Sequence, residues 1–208
     1  GASQLLSDDR VAPALALNVA VATRGADHLR GRPAIDLYGL PRELLAQVYG
    51  FPVSDDYSSY EGKGKMVWFT ELIYELVDSL GICKFQTIFF SPHMPKFEEY
   101  SEAVYYNTGM KISAAELKEV AERCYTLERM FNIRERGITR KDDYPPERLF
   151  VEPTVLGVSR ARGKKLDKKK YDKMLDEYYA AHGWDKNGMP TQETIKRLGL
   201  DKEPSHLL

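Results

Sequence analysis

The sequence predicts a mainly α protein, and three observations support that prediction. Apolar residues recur at intervals of three and four along one segment: Met66, Phe69, Ile73, Leu76 and Leu80. That spacing places them on one face of a helix of about five turns. Gly and Pro residues concentrate in three zones typical of irregular crossings, 24–41, 50–64 and 137–163. No Asn-Gly or Asp-Gly pair lies between two alternating apolar runs, an arrangement typical of a β-hairpin.

The first half of the chain holds two further predicted helices and one strand candidate. The segment Pro13 to Val21 is apolar and rich in alanine, a good helix former. The segment Pro41 to Val48 begins with proline, which is favoured in the first turn of a helix. Phe85 to Phe90 is the single segment whose residue types favour a strand.

The second half is predicted to be helical as well. Ser113 and Glu116 form a capping-box signature. They precede an apolar stripe that comprises Leu117, Val120, Cys124, Leu127 and Phe131. Another stripe comprises Tyr171, Met174, Leu175 and Tyr178. His182-Gly183 is interpreted as the end of that helix, with the histidine charge favoured by the helix dipole. Thr191 is interpreted as the cap of a last short helix.

Composition excludes several classes of protein. The 208 residues include 30 Lys and Arg against 31 Asp and Glu, a balance that argues against general nucleic-acid binding. No uncharged apolar run approaches the ~20 residues that span a bilayer. Residues 1–9 lack the basic and apolar regions of a secretory signal. Two cysteines, Cys83 and Cys124, cannot build a disulfide framework. We therefore expect a cytoplasmic protein without membrane or nucleic-acid partners.

The two cysteines have different settings. Cys83 follows Gly81, whose missing side chain permits close backbone approach, and Lys84 is its neighbour. A cysteine beside a cation near a helix end is a stabilised thiolate, a metal ligand or a small buried hydrophobe. Cys124 falls on an apolar helix stripe, which indicates core packing.

Two other features leave alternatives open. His28, between Asp27 and Leu29, either exchanges a proton near neutral pH or only hydrogen-bonds the backbone of its turn. The basic run from Arg160 to Lys173 either docks an acidic partner or forms a solvated helix face.

Several segments in order resemble one known family. They are 24–31 (RGADHLRG), 60–64 (YEGKG), 78–85 (DSLGICKF), 127–135 (LERMFNIRE), 140–148 (RKDDYPPER), 174–179 (MLDEYY) and 183–185 (GWD). The resemblance is to the C-terminal part of aldehyde ferredoxin oxidoreductases and covers roughly residues 10–200. It implies that residues 1–208 are an irregular, mainly α region equivalent to the C-terminal helical region of a larger oxidoreductase. We expect the N-terminal pterin-binding domain to be absent from this chain.

The resemblance also implies cofactors and site residues. Enzymes of this family oxidise aldehydes to carboxylic acids, using tungsten (or molybdenum) held by two pterins and a nearby [4Fe–4S] cluster. By resemblance, Asp78, Gly81, Ile82 and Cys83 contact these groups, and Cys83 is the fourth ligand of the cluster. Ile82 stands where the family motif has leucine. His28 resembles the family histidine near the metal, which carries a substrate proton.

One cysteine cannot hold a cluster that normally takes four thiolates. We therefore expect no cofactor on this chain alone, and no activity without its partners. Those partners are the missing N-terminal pterin-binding domain and a ferredoxin or ferredoxin-like subunit. Two alternatives stay open: part of a benzoyl-coenzyme A ring reductase subunit of the same family, or a non-catalytic helical interaction module.

Overall fold

The computed structural model describes residues 8–155 and 162–202. Within them the chain forms eight α-helices and no β-sheet. The helices are α1 (Pro13–Val21), α2 (Arg42–Tyr49), α3 (Lys63–Leu80), α4 (Phe97–Thr108), α5 (Ala114–Arg136), α6 (Arg148–Val151), α7 (Lys168–His182) and α8 (Gln192–Arg197). The prediction of a mainly α fold is confirmed. None of these helices is long and apolar enough to cross a membrane.

Helix α3 lies at the centre and packs against α1, α5 and α7. Its apolar stripe continues into fully buried side chains such as Leu72, Ile73 and Val77. Burying a side chain of this size contributes ~1.5–3 kcal/mol. The packing of α3 therefore fixes the position of the residues at its carboxyl end.

The helix ends follow the predicted chemistry. Ser113 Oγ accepts from the Glu116 amide at 3.2 Å, while Glu116 Oε2 accepts from the Ser113 amide at 2.8 Å. These bonds satisfy amides that the first turn of a helix leaves free. Asp167 also caps α7, by accepting from the Lys170 amide at 3.0 Å, and Thr191 caps α8. The capping predictions for Ser113 with Glu116 and for Thr191 are confirmed.

A glycine allows the close crossing of α3 and α7. A Cβ atom on Gly64 would overlap the Met174 carbonyl oxygen and lie 2.9 Å from the Tyr178 amide nitrogen. The Gly64 amide donates to Glu177 Oε2 at 3.0 Å. Because these neighbours are backbone atoms of a second helix, they cannot move aside one at a time.

The strand prediction for Phe85 to Phe90 is wrong. Residues Lys84–Gln86 form a 3₁₀ turn, and Thr87 continues it through local bonds. Its hydroxyl donates to the Lys84 carbonyl at 2.6 Å and accepts from the Phe89 amide at 3.1 Å. Such side-chain bonds to nearby backbone compete with strand pairing. The neighbouring Phe85 and Phe90 are 55% and 58% exposed.

A tight turn that the sequence analysis did not predict lies after α7. Trp184 and Pro190 form an isolated antiparallel bridge, and the Asp185 amide donates to the Met189 carbonyl at 2.7 Å. Asn187 and Gly188 lie within this turn. The Asn-Gly pair is therefore a real turn signal here, but the flanking residues are too few to form strands.

Candidate functional site

The turn that carries His28 packs against the carboxyl end of α3. Residues His28–Arg30 form a short 3₁₀ turn capped by Asp27, whose Oδ1 accepts from the Leu29 amide at 2.8 Å. The other oxygen of Asp27 accepts from Arg24 Nε at 2.6 Å. The Asp27 carboxylate therefore stabilises the turn, in which His28 is half-buried.

Two cations converge on Asp78, in the last turn of α3. Its Oδ2 accepts from Arg30 Nη1 at 3.0 Å and from Lys84 Nζ at 2.7 Å. Lys84 Nζ also donates to the Leu29 carbonyl, beside His28. Among the described residues, no hydrogen bond reaches Asp78 Oδ1, and the side chain is 36% exposed. The structure thus brings together the two predicted site segments, which are far apart in sequence.

Beneath Asp78 lies a charged group that sequence reasoning missed. Arg30 is only 4% exposed, and its Nη2 donates to Glu75 Oε2 at 2.6 Å and to Glu128. Burial raises the pKa of Glu75, although the Arg30 charge acts in the opposite direction. One signal was available: Glu75 and Asp78 are three residues apart, so they share a face of α3.

The segment after α3 presents the predicted cofactor residues. Gly81 adopts the left-handed conformation (φ 70°) that ends the helix, and the Ile82 amide donates to the Val77 carbonyl at 2.8 Å. Ile82 is half-buried against the core. Cys83 is exposed, with a free thiol. A Cβ on Gly81 would meet no described atom within 4 Å. Positive φ, not a close approach within this chain, is what requires glycine here.

His182 ends α7 as predicted, but the prediction that it carries a charge is wrong. It is 3% exposed and lies between Trp184, with ring centroids 4.1 Å apart, and Glu71, whose Oε2 is 3.2 Å from Nε2. Burial lowers the pKa of His182 well below its ordinary value, and the Arg129 charge adds to this effect. The ring is therefore neutral and carries no charge for the helix dipole. The same burial raises the pKa of Glu71 well above its ordinary value.

The α5 stripe is core at one end and open at the other. Leu117 is 4% exposed, whereas Leu127 and Phe131 are 37% and 52% exposed. A groove of about 610 Å³ lies beside them, and its opposite side is formed by Thr23 and Arg24. Cys124 lies on this groove and is only half-buried, so its prediction as core packing needs correction. Glu75 and Glu128 also line the groove, which therefore adjoins the Arg30 group. We name it the α5 groove.

The described residues fit part of a metal site. No group of three or more His, Cys, Asp or Glu side chains in the described ranges is placed to hold a metal ion. A [4Fe–4S] cluster normally takes four thiolates, and Cys83 offers one of them at the surface. Cys83 can therefore be one ligand of such a cluster, and the described residues do not complete the site.

The basic run is exposed where the structure describes it. Lys164, Lys165 and Lys168–Lys170 are exposed around and within the start of α7. Arg160 lies outside the described residues. Both interpretations of this run, a docking surface and a solvated face, predict exposure.

Comparison with known proteins now gives this arrangement a family. Residues 2–200 match the family model described as aldehyde ferredoxin oxidoreductase, domains 2 and 3. The tungsten-containing aldehyde ferredoxin oxidoreductase of Pyrococcus abyssi is 27% identical over 195 residues, 94% of this chain and 29% of the relative. The corresponding Thermococcus kodakarensis protein is 25% identical, over 93% of this chain and 29% of that protein.

A solved structure points to the same group. The active-site complex BamBC of benzoyl coenzyme A reductase, in complex with 1,5-dienoyl-CoA, matches with a TM-score of 0.57 and 26% identity. The match covers 79% of this chain and 24% of that chain. This chain thus spans less than a third of the relatives' length. It belongs to the aldehyde ferredoxin oxidoreductase family and corresponds to domains 2 and 3 of its members.

Proposed function

We propose that this chain is the C-terminal helical part of a tungsten- and pterin-dependent aldehyde oxidoreductase, inactive without the remainder of the enzyme. The observation that carries the proposal is the meeting of two motifs. The His28 turn and the Asp78–Cys83 segment lie against each other through Lys84, which bonds both Leu29 and Asp78. Proton transfer, cofactor binding and cluster ligation can then take place at one surface.

Each residue has a role that its chemistry allows. Asp78 Oδ2 accepts from Arg30 and Lys84, whereas Oδ1 accepts no hydrogen bond from the described residues and can receive one from a pterin ring. Cys83 supplies one thiolate ligand from an exposed position. Gly81 and Ile82 fix the direction in which Cys83 leaves α3. His28 is half-buried, and an imidazole can both donate and accept a proton, so it suits proton transfer. When bound, the metal, pterin and cluster supply the redox chemistry of aldehyde oxidation.

Metal and pterin analysis tests this proposal. We expect iron and tungsten in the chain only when it is produced together with an N-terminal pterin-binding part. In that complex Cys83→Ser should lose iron, whereas Cys124→Ser, its matched control, should keep it. Stoichiometric iron or tungsten on the chain alone, or iron retained by Cys83→Ser, would contradict the proposal.

A second candidate reaction is reduction of an aromatic thioester ring. The similarity to the benzoyl coenzyme A reductase complex favours it. An assay of the complete enzyme with an aldehyde and with an aromatic acyl thioester distinguishes the two reactions. Turnover of the thioester alone would replace aldehyde oxidation as the proposed activity.

A ferredoxin or ferredoxin-like subunit is the proposed electron partner. The exposed lysines from Lys164 to Lys173 offer positive charge to an acidic protein of this kind. Binding should weaken steeply as salt is raised, because exposed charges are screened over ~10 Å at 0.1 M salt. Binding that is unchanged from low to high salt would exclude this surface.

A further inference from the structure

Lys84 is placed to do more than follow Cys83 in the sequence. Its side chain is 11% exposed, so the ammonium is largely withdrawn from water. Nζ donates to the Leu29 carbonyl and to Asp78 Oδ2, the latter at 2.7 Å. It also lies 5.3 Å from the centroid of the Tyr74 ring. A buried ammonium needs such partners, since desolvation without them is costly.

Tyr74 holds the other end of the His28 turn in place. It is fully buried in α3, and its hydroxyl donates to the Arg32 carbonyl at 2.9 Å. The residues that follow His28 are therefore held at Leu29 by Lys84 and at Arg32 by Tyr74. Tyr74 belongs to the rigid helix, whereas Lys84 belongs to the segment that carries Cys83. Lys84 thus links the cysteine segment directly to the histidine turn.

We propose that Lys84 is a positioning residue that holds Cys83 and the His28 turn in one fixed relationship. This inference rests on the proposed function, in which both residues serve the same centre. A long stem with a compact three-donor head suits the task, because one ammonium can satisfy a carbonyl and a carboxylate together. The ammonium also keeps a positive charge one residue from the proposed cluster ligand.

Hydrogen exchange of the chain itself tests the link. Both segments carry bonded amides, Arg32 to the His28 carbonyl at 3.0 Å and Gln86 to the Cys83 carbonyl at 2.9 Å. We expect Lys84→Met to speed exchange roughly tenfold in both segments, 28–32 and 81–87. Lys84→Arg should retain most of the protection, and Lys141→Met, at an exposed lysine, should change neither segment.

The possible outcomes distinguish a link between the two segments from support of one segment alone. Faster exchange in 81–87 alone, or no change in either segment, would overturn the proposal. If Lys84→Met does not fold by circular dichroism, Lys84→Gln takes its place. The glutamine amide removes the charge and stops short of Leu29, so the same paired change is expected.

The complete enzyme provides a second measurement. Loss of a positive charge beside a cluster ligand should lower the reduction potential of the cluster, which net charge helps to set. Lys84→Met should therefore shift the midpoint potential downward at unchanged iron content, and Lys84→Arg should not. An unchanged midpoint potential would contradict the proposed electrostatic effect of Lys84 on the cluster. If the complete enzyme carries no cluster, the proposed function fails, whereas the exchange result still decides the link.

Discussion

Arg30 and Asp78 are 48 residues apart in the sequence, and their side chains meet with Arg30 Nη1 3.0 Å from Asp78 Oδ2. The same guanidinium holds Glu75 and Glu128. Three carboxylates thus face two cations, Arg30 and Lys84. Among the described residues no donor reaches Asp78 Oδ1, so this partly exposed oxygen suits a ligand with N–H donors.

Removing the guanidinium should destabilise the fold. Arg30→Met leaves the buried Glu75 without its cation, and we expect a loss of ~3 kcal/mol in the free energy of unfolding. Asp78 and Glu128 reach water, which limits the loss. Urea unfolding measures it, with Arg30→Lys as the milder control. An Arg30→Met midpoint equal to that of the unmodified chain would refute this role.

His28→Ala should impair turnover in the complete enzyme while leaving its metals in place. The ring is half-buried and caps no helix, so its loss should change chain stability by less than ~1 kcal/mol. We expect kcat to fall at least ~100-fold, the range of general acid–base catalysis. Steady-state kinetics with metal analysis checks this. Near-normal kcat would remove His28 from the reaction.

Glu71 should make stability depend on pH in a defined direction. Burial holds its pKa well above the ordinary value, so the folded chain keeps Glu71 protonated where the unfolded chain ionises it. Stability is therefore lost as pH rises above about 4.5, by ~1.4 kcal/mol per pH unit, until the folded pKa is reached.

The variant Glu71→Gln isolates this effect, because glutamine copies the protonated form and His182 is present in both proteins. We expect the variant to gain stability relative to the unmodified chain as the pH is raised above about 4.5. Urea titrations at several pH values measure the difference. A difference that does not vary with pH would show that Glu71 is ionised in the folded state.

Gly64→Ala should destabilise the chain although alanine is the better helix former. The new methyl group would press on the backbone of α7 at Met174 and Tyr178. We expect a cost of ~2–3 kcal/mol by thermal unfolding. Gly109→Ala is the control, because Gly109 has φ 75° and open space around it. Its cost should be ~1–2 kcal/mol, from backbone strain alone. Equal or reversed costs would argue against a tight crossing.

Phe131→Ser tests whether the α5 groove is a contact surface. Phe131 is 52% exposed, so the substitution should change chain stability by less than ~0.5 kcal/mol. It should weaken association with the N-terminal part of the enzyme, measured by calorimetry. Leu117→Ser, a buried position of the same helix, should instead lower stability. Unchanged association with Phe131→Ser would mean that the groove stays open in the complete enzyme.

The helices could be predicted because their information is local. The stripe from Met66 to Leu80 and the box at Ser113 and Glu116 depend on neighbours within one or two turns. The conformation of the short segment from Phe85 to Phe90 could not be predicted in this way. The local hydrogen bonds of Thr87 outweigh the strand preference of the residue types in this segment. Only packing shows that α5 is buried at Leu117 and open at Phe131.

For the candidate site too, one part could be predicted from the sequence and another could not. Resemblance pointed to His28, Asp78 and Cys83, but no spacing rule places them together. Their meeting depends on Arg30 and Lys84, whose partners lie tens of residues away. His182 was misread because a histidine at a helix end looks alike whether that end is exposed or buried. Its environment comes from Glu71, on α3, and from Trp184, two residues further along the chain.

Helix α3 connects its crossing with α7 to the candidate site. Gly64 seats one end on α7, and Asp78 stands at the other end, 14 positions later and so ~21 Å along the axis. A tilt of a few degrees at that seat would swing the Asp78 carboxylate by more than ~1 Å, enough to misalign a hydrogen bond. The candidate site can therefore be altered without changing any of its own residues, because a methyl group added at Gly64 would move the Asp78 carboxylate at the other end of the helix.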